Sequence, residues 1–379
     1  MKRLNSIFKM DKKNRHQILL WLIGGLILTF ATEIFLRGSV KEVVSWVKET
    51  PGVMLANYLL ILMLTSIFFL AKRKYMVYFI SFVVILEVSI TTFFLMKVRG
   101  TPLTFSDLYS IGEAMEIADK YINPTIIIIG IVCIAFLVVF CVFLYKLDGD
   151  TKRFKLINFV LVFVVSAVFF TTVRSQQAKN IMVYKRWDIP ASYKCNGLTY
   201  STVESCLKYI RTKPNDYSQS KIAKIKEKVD KAEANDNRKL NKNKPNVLFV
   251  QLEAFMDPET IKGVKYSEDP IPNFRKLTKL YTSGMANVPT TGGGTVRTEF
   301  EVMTGNNIDY LTPGEIPYST ILKSKYYNSV ATTLSSQGYE THAVHNFQGN
   351  FYGRNNAYGK LGFGDFTSQE YMSGYELNE

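Results

Sequence analysis

Cysteine and histidine are scarce in this chain of 379 residues, with 4 and 3 copies. Four cysteines exclude a disulfide-dense scaffold, and their spacing fits no zinc knuckle. Charge of one sign is short: 32 acidic residues face 46 basic ones, for a net +14. Charged residues of any kind amount to only 21%, against 47% hydrophobic. That hydrophobic share excludes a disordered or collagenous chain. Its uneven distribution excludes a single soluble globule, because residues 1–174 carry long apolar runs and residues 175–379 read as a water-soluble chain. No Gly-Lys-Ser/Thr follows the glycine run at 292–294, so a Walker phosphate loop is absent.

Five apolar stretches are present, at 18–36, 53–71, 75–96, 125–145 and 156–173. About 20 helical residues cross a hydrocarbon core roughly 30 Å thick. Backbone groups in lipid must be bonded internally, so the runs are expected to be membrane helices. The first run is too long for a signal peptide and is followed by no small-x-small cleavage site. Lys2, Arg3, Lys9, Lys12, Lys13 and Arg15 precede it against one acid, Asp11. Lys72, Arg73 and Lys74 join runs two and three, and Lys146, Lys152, Arg153 and Lys155 join four and five. The positive-inside rule therefore puts the N-terminus in the cytoplasm and everything after about residue 174 outside. Much of the basic surplus is then topology signal, which argues against nucleic acid as a partner. Glu33 and Glu87 interrupt apolar runs; such acids sit near helix ends, pair between helices, or serve function.

The outer connection 97–124 contains Arg99-Gly100-Thr101-Pro102-Leu103 and then Phe105-Ser106-Asp107-Leu108. Pro102 and Ser106-Asp107 mark a turn and a helix start. The helical spacing over 107–121 fits either a plain connecting helix or one lying on the outer leaflet. Residues 175–244 form a polar connector: between 221 and 244 nine Lys/Arg accompany four Asp/Glu. This predicts a solvated helix followed by a linker over 232–245, with basic charge also suited to anionic lipid. Cys195 and Cys206 are the external cysteines, and a disulfide between them is one outcome. Cys133 and Cys141 are read as packing residues of the fourth membrane helix.

Asn246–Leu252 is a short apolar run that reads as a buried strand ending in Glu253. An acid there is either a water-facing strand end or a ligand position at the carboxyl edge of an α/β sheet. Pro289-Thr290-Thr291-Gly292-Gly293-Gly294-Thr295 then leads into a helix expected from Thr295 to Thr304, stopped by Gly305. Glycines allow close backbone approach to an anion, and a helix N-terminus favours one. Thr295 is on this basis either a nucleophile at a phosphate or only the helix cap. In a third version Thr298 caps with Glu301 as its box partner. A later strand, Thr341–His345, carries His342, which is read as structural.

These motifs together resemble the lipoteichoic acid synthase family, membrane-bound members of the sulfatase/alkaline-phosphatase superfamily. The resemblance rests on Glu253, on Gly-Gly-Gly-Thr295 followed by Glu299-Phe300, on the 99–108 loop and on His345-Asn346-Phe347-Gln348-Gly349-Asn350-Phe351-Tyr352-Gly353-Arg354. It implies a five-helix transmembrane bundle over 1–174, an extracellular helical and linker segment over 175–244, and an incomplete extracellular α/β sulfatase-like catalytic domain over 245–379. It also implies Thr295 as nucleophile and metal ligand, Glu253 as metal ligand, and His345, Tyr352 and Arg354 as binders of a phosphoglycerol headgroup. Tyr352 stands where other members have Trp. The implied metal is divalent, Mn2+ first, with Mg2+ or Zn2+ as alternatives. The implied substrate is phosphatidylglycerol, and the implied acceptor is a growing glycerolphosphate polymer or a glycolipid, at the plasma membrane. The family completes its metal site with an adjacent Asp-His pair; His16, His342 and His345 do not follow an aspartate, so a chain truncated before that pair, from a parent that would be the enzyme, is expected. A phosphoethanolamine transferase of the same superfamily and a non-catalytic membrane remnant are the alternatives.

Overall fold

A computed structural model of the protein describes residues 12–98, 100–110, 124–147, 156–185, 188–210, 216–234, 244–252, 255–289, 294–312 and 314–374. The chain forms two compact units, Met1–Tyr209 with Pro289–Glu379, and Ile210–Val288.

In the first unit, α1 (Lys12–Arg37) leads to α2 (Val40–Glu49), which starts at Ser39, whose hydroxyl accepts from the Glu42 amide. Next come α3 (Pro51–Thr65), continued by a 3-10 turn to Leu70, then α4 (Lys74–Val98), α5 (Pro124–Leu147) and α6 (Leu156–Ala178). Five helices are long and apolar enough to cross a membrane: Lys12–Arg37, Pro51–Leu70, Lys74–Val98, Ile128–Leu147 and Leu156–Ala178. They fall on the five apolar runs of the sequence. α3 packs on α6, and α1 packs on both α3 and α4. Trp21 locks the α1–α3 contact, its indole N–H donating to Leu62 O at 3.0 Å. Along α5 the large apolar side chains point outward, as with Ile131, Ile134 and Phe136. Such a surface suits hydrocarbon and not water. Glu87 lies on the exposed side of α4.

A polar cap covers one end of the bundle. It consists of α7 (Ile189–Asn196) and α8 (Leu198–Tyr209), with α2 and the loop before Ser110 beside them. The connector expected over 175–244 is thus packed structure in its first part. Buried polar groups fasten the cap. Glu33 accepts from the Leu198 amide at 2.8 Å and pairs with Arg37, whose other arm donates to Lys194 O at 2.6 Å. Asn57 donates to Asn196 O and accepts from the Tyr200 amide. Tyr193 donates to Leu103 O at 2.8 Å, which ties the loop to α7. In that loop Asp107 accepts from the Thr104 amide at 2.7 Å. The rest of the helix expected over 107–121 lies outside the described residues beyond a 3-10 turn at Phe105–Ser110. Cys195 and Cys206 are free thiols and do not form the disulfide that was one outcome.

In the second unit, α9 (Gln219–Ala234) is the solvated basic helix, and α10 (Pro272–Leu280) is short. Most of the linker beyond α9 lies outside the described residues. Arg275 on α10 forks to Asp257, Glu259 and Asp269 at 2.8, 2.7 and 3.0 Å. The buried strand expected over 246–252 is not formed. Those residues are exposed, Leu248 at 85%, and have no regular structure. A β-branched run is buried as a strand only where neighbours pair its backbone and cover its faces. Among the described residues the sheet contains two strands, neither of them here.

The chain returns to the first unit with α11 (Val296–Thr304), followed by α12 (Ile321–Ser324), α13 (Val330–Ser336), β1 (His342–Val344), α14 (Arg354–Lys360) and β2 (Asp365–Thr367). β1 and β2 are parallel, with Ala343 opposite Phe366. Val296, Phe300, Leu322, Ala343, Ala357, Tyr358 and Leu361 form one core. Gly314 has φ +73, and a β-carbon there would stand 2.6 Å from Ser106 Oγ and 2.8 Å from Thr104 Oγ1. The loop around Thr104 therefore touches the segment after α11.

Removing a buried partner from an ion pair costs about 3–5 kcal/mol. Glu33→Ala is expected to destabilise the bundle by that order and to release the cap. Thermal unfolding in detergent checks this, together with protease cleavage in 179–210, which should accelerate in the variant.

Candidate functional site

The site is built on α11 and α14. Val296 and Phe300 are four residues apart and face the core, which fixes how α11 rotates. The helix ends as its sequence requires: Gly305 adopts φ +68, and its N–H donates to Glu301 O at 2.8 Å. With that rotation fixed, Thr295 at the N-terminal edge and Glu299 one turn later lie along one side.

Thr295 does not cap the helix. Its backbone is helical, at φ −50 and ψ −34, and its hydroxyl accepts from none of the helix amides. Thr298 lies within the helix, and Glu301 accepts from the Ile308 amide at 2.9 Å, so the alternative capping box is not formed either. The Thr295 hydroxyl instead lies 3.4 Å from Nη2 of Arg354.

Arg354 opens α14 and is 1% exposed. Its Nη2 donates to Glu299 Oε1 at 2.6 Å, and its Nε approaches Glu299 Oε2 at 3.4 Å. Tyr358, one turn further along α14, donates to Glu299 Oε2 at 3.1 Å. Burial works against the guanidinium charge, but hydrogen bonding and the charge of Glu299 outweigh it and raise the Arg354 pKa. Burial first, and then the Glu299 charge, also raise the Tyr318 and Tyr358 phenols, keeping both neutral.

Tyr352 and His345 complete the surroundings. Tyr352 adopts φ 58 and ψ 11, an uncommon conformation for a residue with a β-carbon, and its ring centre is 5.4 Å from the Arg354 guanidinium. His345 follows β1 and is half-buried. Its Nδ1 accepts from the Phe347 amide at 3.1 Å, so Nε2 carries the proton. Burial, and then the positive Arg354, hold its pKa below the ordinary histidine value. His342 pairs with Asp365 at 2.6 Å on the exposed side of the two strands.

Thr295, Tyr352 and Arg354 thus gather in one place, with His345 within electrostatic reach of Arg354. Glu253, Gly292 and Gly293 lie outside the described residues. Glu299 and Tyr358 were not singled out as site residues in the sequence; the four-residue spacing of Thr295 and Glu299 was the available signal. Among the described residues no three His, Cys, Asp or Glu side chains gather as a metal site. The Glu299 carboxylate, one helical turn from Thr295, is committed to Arg354. Of the two expected metal ligands, only Thr295 is among the described residues.

Residues 245–379 match the Sulfatase family. The sulfatase-family segment holds every side chain of the site just described, downstream of the five apolar helices. The chain is also 32% identical over 186 residues to a Rhizobium meliloti (strain 1021) protein named for cyclic beta-1,2-glucan modification. That similarity covers 49% of this chain and spans 28% of the relative's length. No solved structure matches the chain significantly.

A histidine with a depressed folded pKa gives stability that is full above its unfolded value, about 6.5, and is lost as pH falls below it. NMR titration should find the His345 pKa below the ordinary histidine value. In Arg354→Gln its pKa should move upward, because a repelling cation is gone; an unmoved value would contradict this electrostatic picture.

Proposed function

We propose that this protein transfers a phosphoglycerol headgroup from phosphatidylglycerol to a hydroxyl acceptor at the outer face of the membrane, with Thr295 as nucleophile. The observation that carries this is the Thr295 hydroxyl, uncommitted to helix capping, beside the buried guanidinium of Arg354 at 3.4 Å. A helix N-terminal edge and an arginine fork are both suited to phosphate oxygens.

In the first step Thr295 Oγ1 bonds to phosphorus and the bond from phosphorus to the diacylglycerol oxygen breaks. The threonine proton ends on that oxygen, giving diacylglycerol and a glycerophosphoryl-threonine. In the second step the acceptor oxygen bonds to phosphorus, the bond to Thr295 breaks, and the acceptor proton returns to threonine. Arg354 donates to the non-bridging oxygens as their charge grows. Neutral His345 offers its Nε2–H to the headgroup, and Tyr352 flanks it.

Five apolar helices hold the site beside a donor that itself stays in the leaflet, and shared confinement raises the effective concentration of each. The basic loops after helices two and four favour a cytoplasmic N-terminus and an external site. Two acceptors suit the site: the terminal hydroxyl of a glycerolphosphate polymer, and a sugar hydroxyl, which the name of the Rhizobium relative favours. Phosphoethanolamine is the rival headgroup; the His345–Arg354 run favours phosphoglycerol.

In proteoliposomes carrying acyl-labelled phosphatidylglycerol, Thr295→Ala is expected to abolish diacylglycerol release. Arg354→Ala should lower it at least about 100-fold, the usual effect of removing a donor to developing negative charge. Wild-type release by Thr295→Ala would overturn the nucleophile assignment.

A further inference from the structure

We propose that Glu299 is a positioning residue of this reaction, which fixes the Arg354 guanidinium so that one Nη2 N–H faces the Thr295 oxygen and the phosphorus attacked there. This rests on the transfer function proposed above and adds a residue to it. Arg354 has a long flexible stem and a charge that is almost completely buried. Without an anion at its flank it would turn toward whatever acceptor is nearest, and Phe351 O already lies 3.5 Å from Nη1. Glu299 takes Nη2 on one oxygen and faces Nε with the other, which sets the plane of the fork. Tyr358 holds the carboxylate itself at 3.1 Å. Because Glu299 and Thr295 are one turn apart on α11, the helix transmits the distance between arginine and nucleophile as a rigid spacing.

The pairing has a second consequence. Arg354 is already neutralised by Glu299, so it adds little attraction for a singly charged phosphodiester. Its aligned N–H acts on the further charge that develops during attack. An interaction that strengthens toward the transition state raises kcat more than it lowers KM. Glu299 is accordingly expected to affect kcat and not binding.

The test is Glu299→Gln, which keeps an oxygen acceptor and the side-chain shape, assayed in proteoliposomes alone and in an Arg354→Lys background. The expected result is a kcat about 100-fold lower, the usual effect of misplacing a reacting group by about 1 Å, with KM unchanged or lower. In the Arg354→Lys background Glu299→Gln should add no further loss, because it acts through the fork. A wild-type kcat, a raised KM with kcat unchanged, or losses that multiply in the double variant would each overturn the proposal. Tyr358→Phe, which removes one hydrogen bond to Glu299, covers the case in which Glu299→Gln does not accumulate. About fivefold lower kcat is expected, and no loss would count against the positioning role. Binding of glycerol 1-phosphate, measured by calorimetry, needs no turnover: Glu299→Gln should bind it at least as tightly as wild type, and tenfold weaker binding would make Glu299 a binding residue instead. Absence of diacylglycerol release by the wild type would overturn the transfer function separately, leaving Glu299 to be judged by that binding.

Discussion

The ion pair between Arg354 and Glu299 is the constraint on which the soluble part of this unit depends. It joins two helices whose paired residues are 55 positions apart in sequence, and both partners are nearly removed from water. A buried pair of this kind offers little net stability over an apolar pair of equal size. Its loss on one side is costly, because the other charge is left without compensation. The pair therefore specifies one arrangement of α11 and α14 more than it strengthens the fold. That arrangement brings a threonine hydroxyl and a guanidinium together at a helix N-terminus. Tyr358 reinforces it from the same side, and the apolar core formed by Val296, Phe300 and Ala357 closes beneath it.

The membrane part follows a related logic. Lipid supplies no drive for helices to associate by hydrophobic burial, so polar ties and close packing decide the arrangement. Glu33 and Asn57 do this here, each reaching from a membrane helix to backbone groups of the cap. The cap in turn holds the loop around Thr104 through Tyr193, and that loop meets Gly314. A continuous set of contacts thus runs from the bundle to the segment just after α11.

The sequence made some of this legible. Long apolar runs can exist in only one solvent, so the five membrane helices follow directly from them. The end of α11 at Gly305 was equally plain, since only a residue free of a β-carbon adopts that left-handed turn without strain. Thr295 was ambiguous, because a threonine ahead of a helix is ordinarily its cap; only in the fold does its hydroxyl prove to make no capping bond and to lie against Arg354. Glu299 was hidden for a different reason. An acid in the first turn of a helix is common, and nothing local reveals that its partner lies far along the chain. The cap was also hidden, because α7 and α8 look polar by composition and are buried through hydrogen bonds to the bundle. The run at 246–252 shows the opposite case: a strand-like composition forms a strand only when neighbouring strands complete it.

The most direct measurement of the central claim is mass spectrometry of peptides from protein incubated with phosphatidylglycerol and quenched before an acceptor is added. The account predicts a glycerophosphoryl group on the peptide containing residues 294–297, with fragment ions that place it on Thr295. Diacylglycerol release with an unmodified Thr295, or with the group on another side chain, would contradict it.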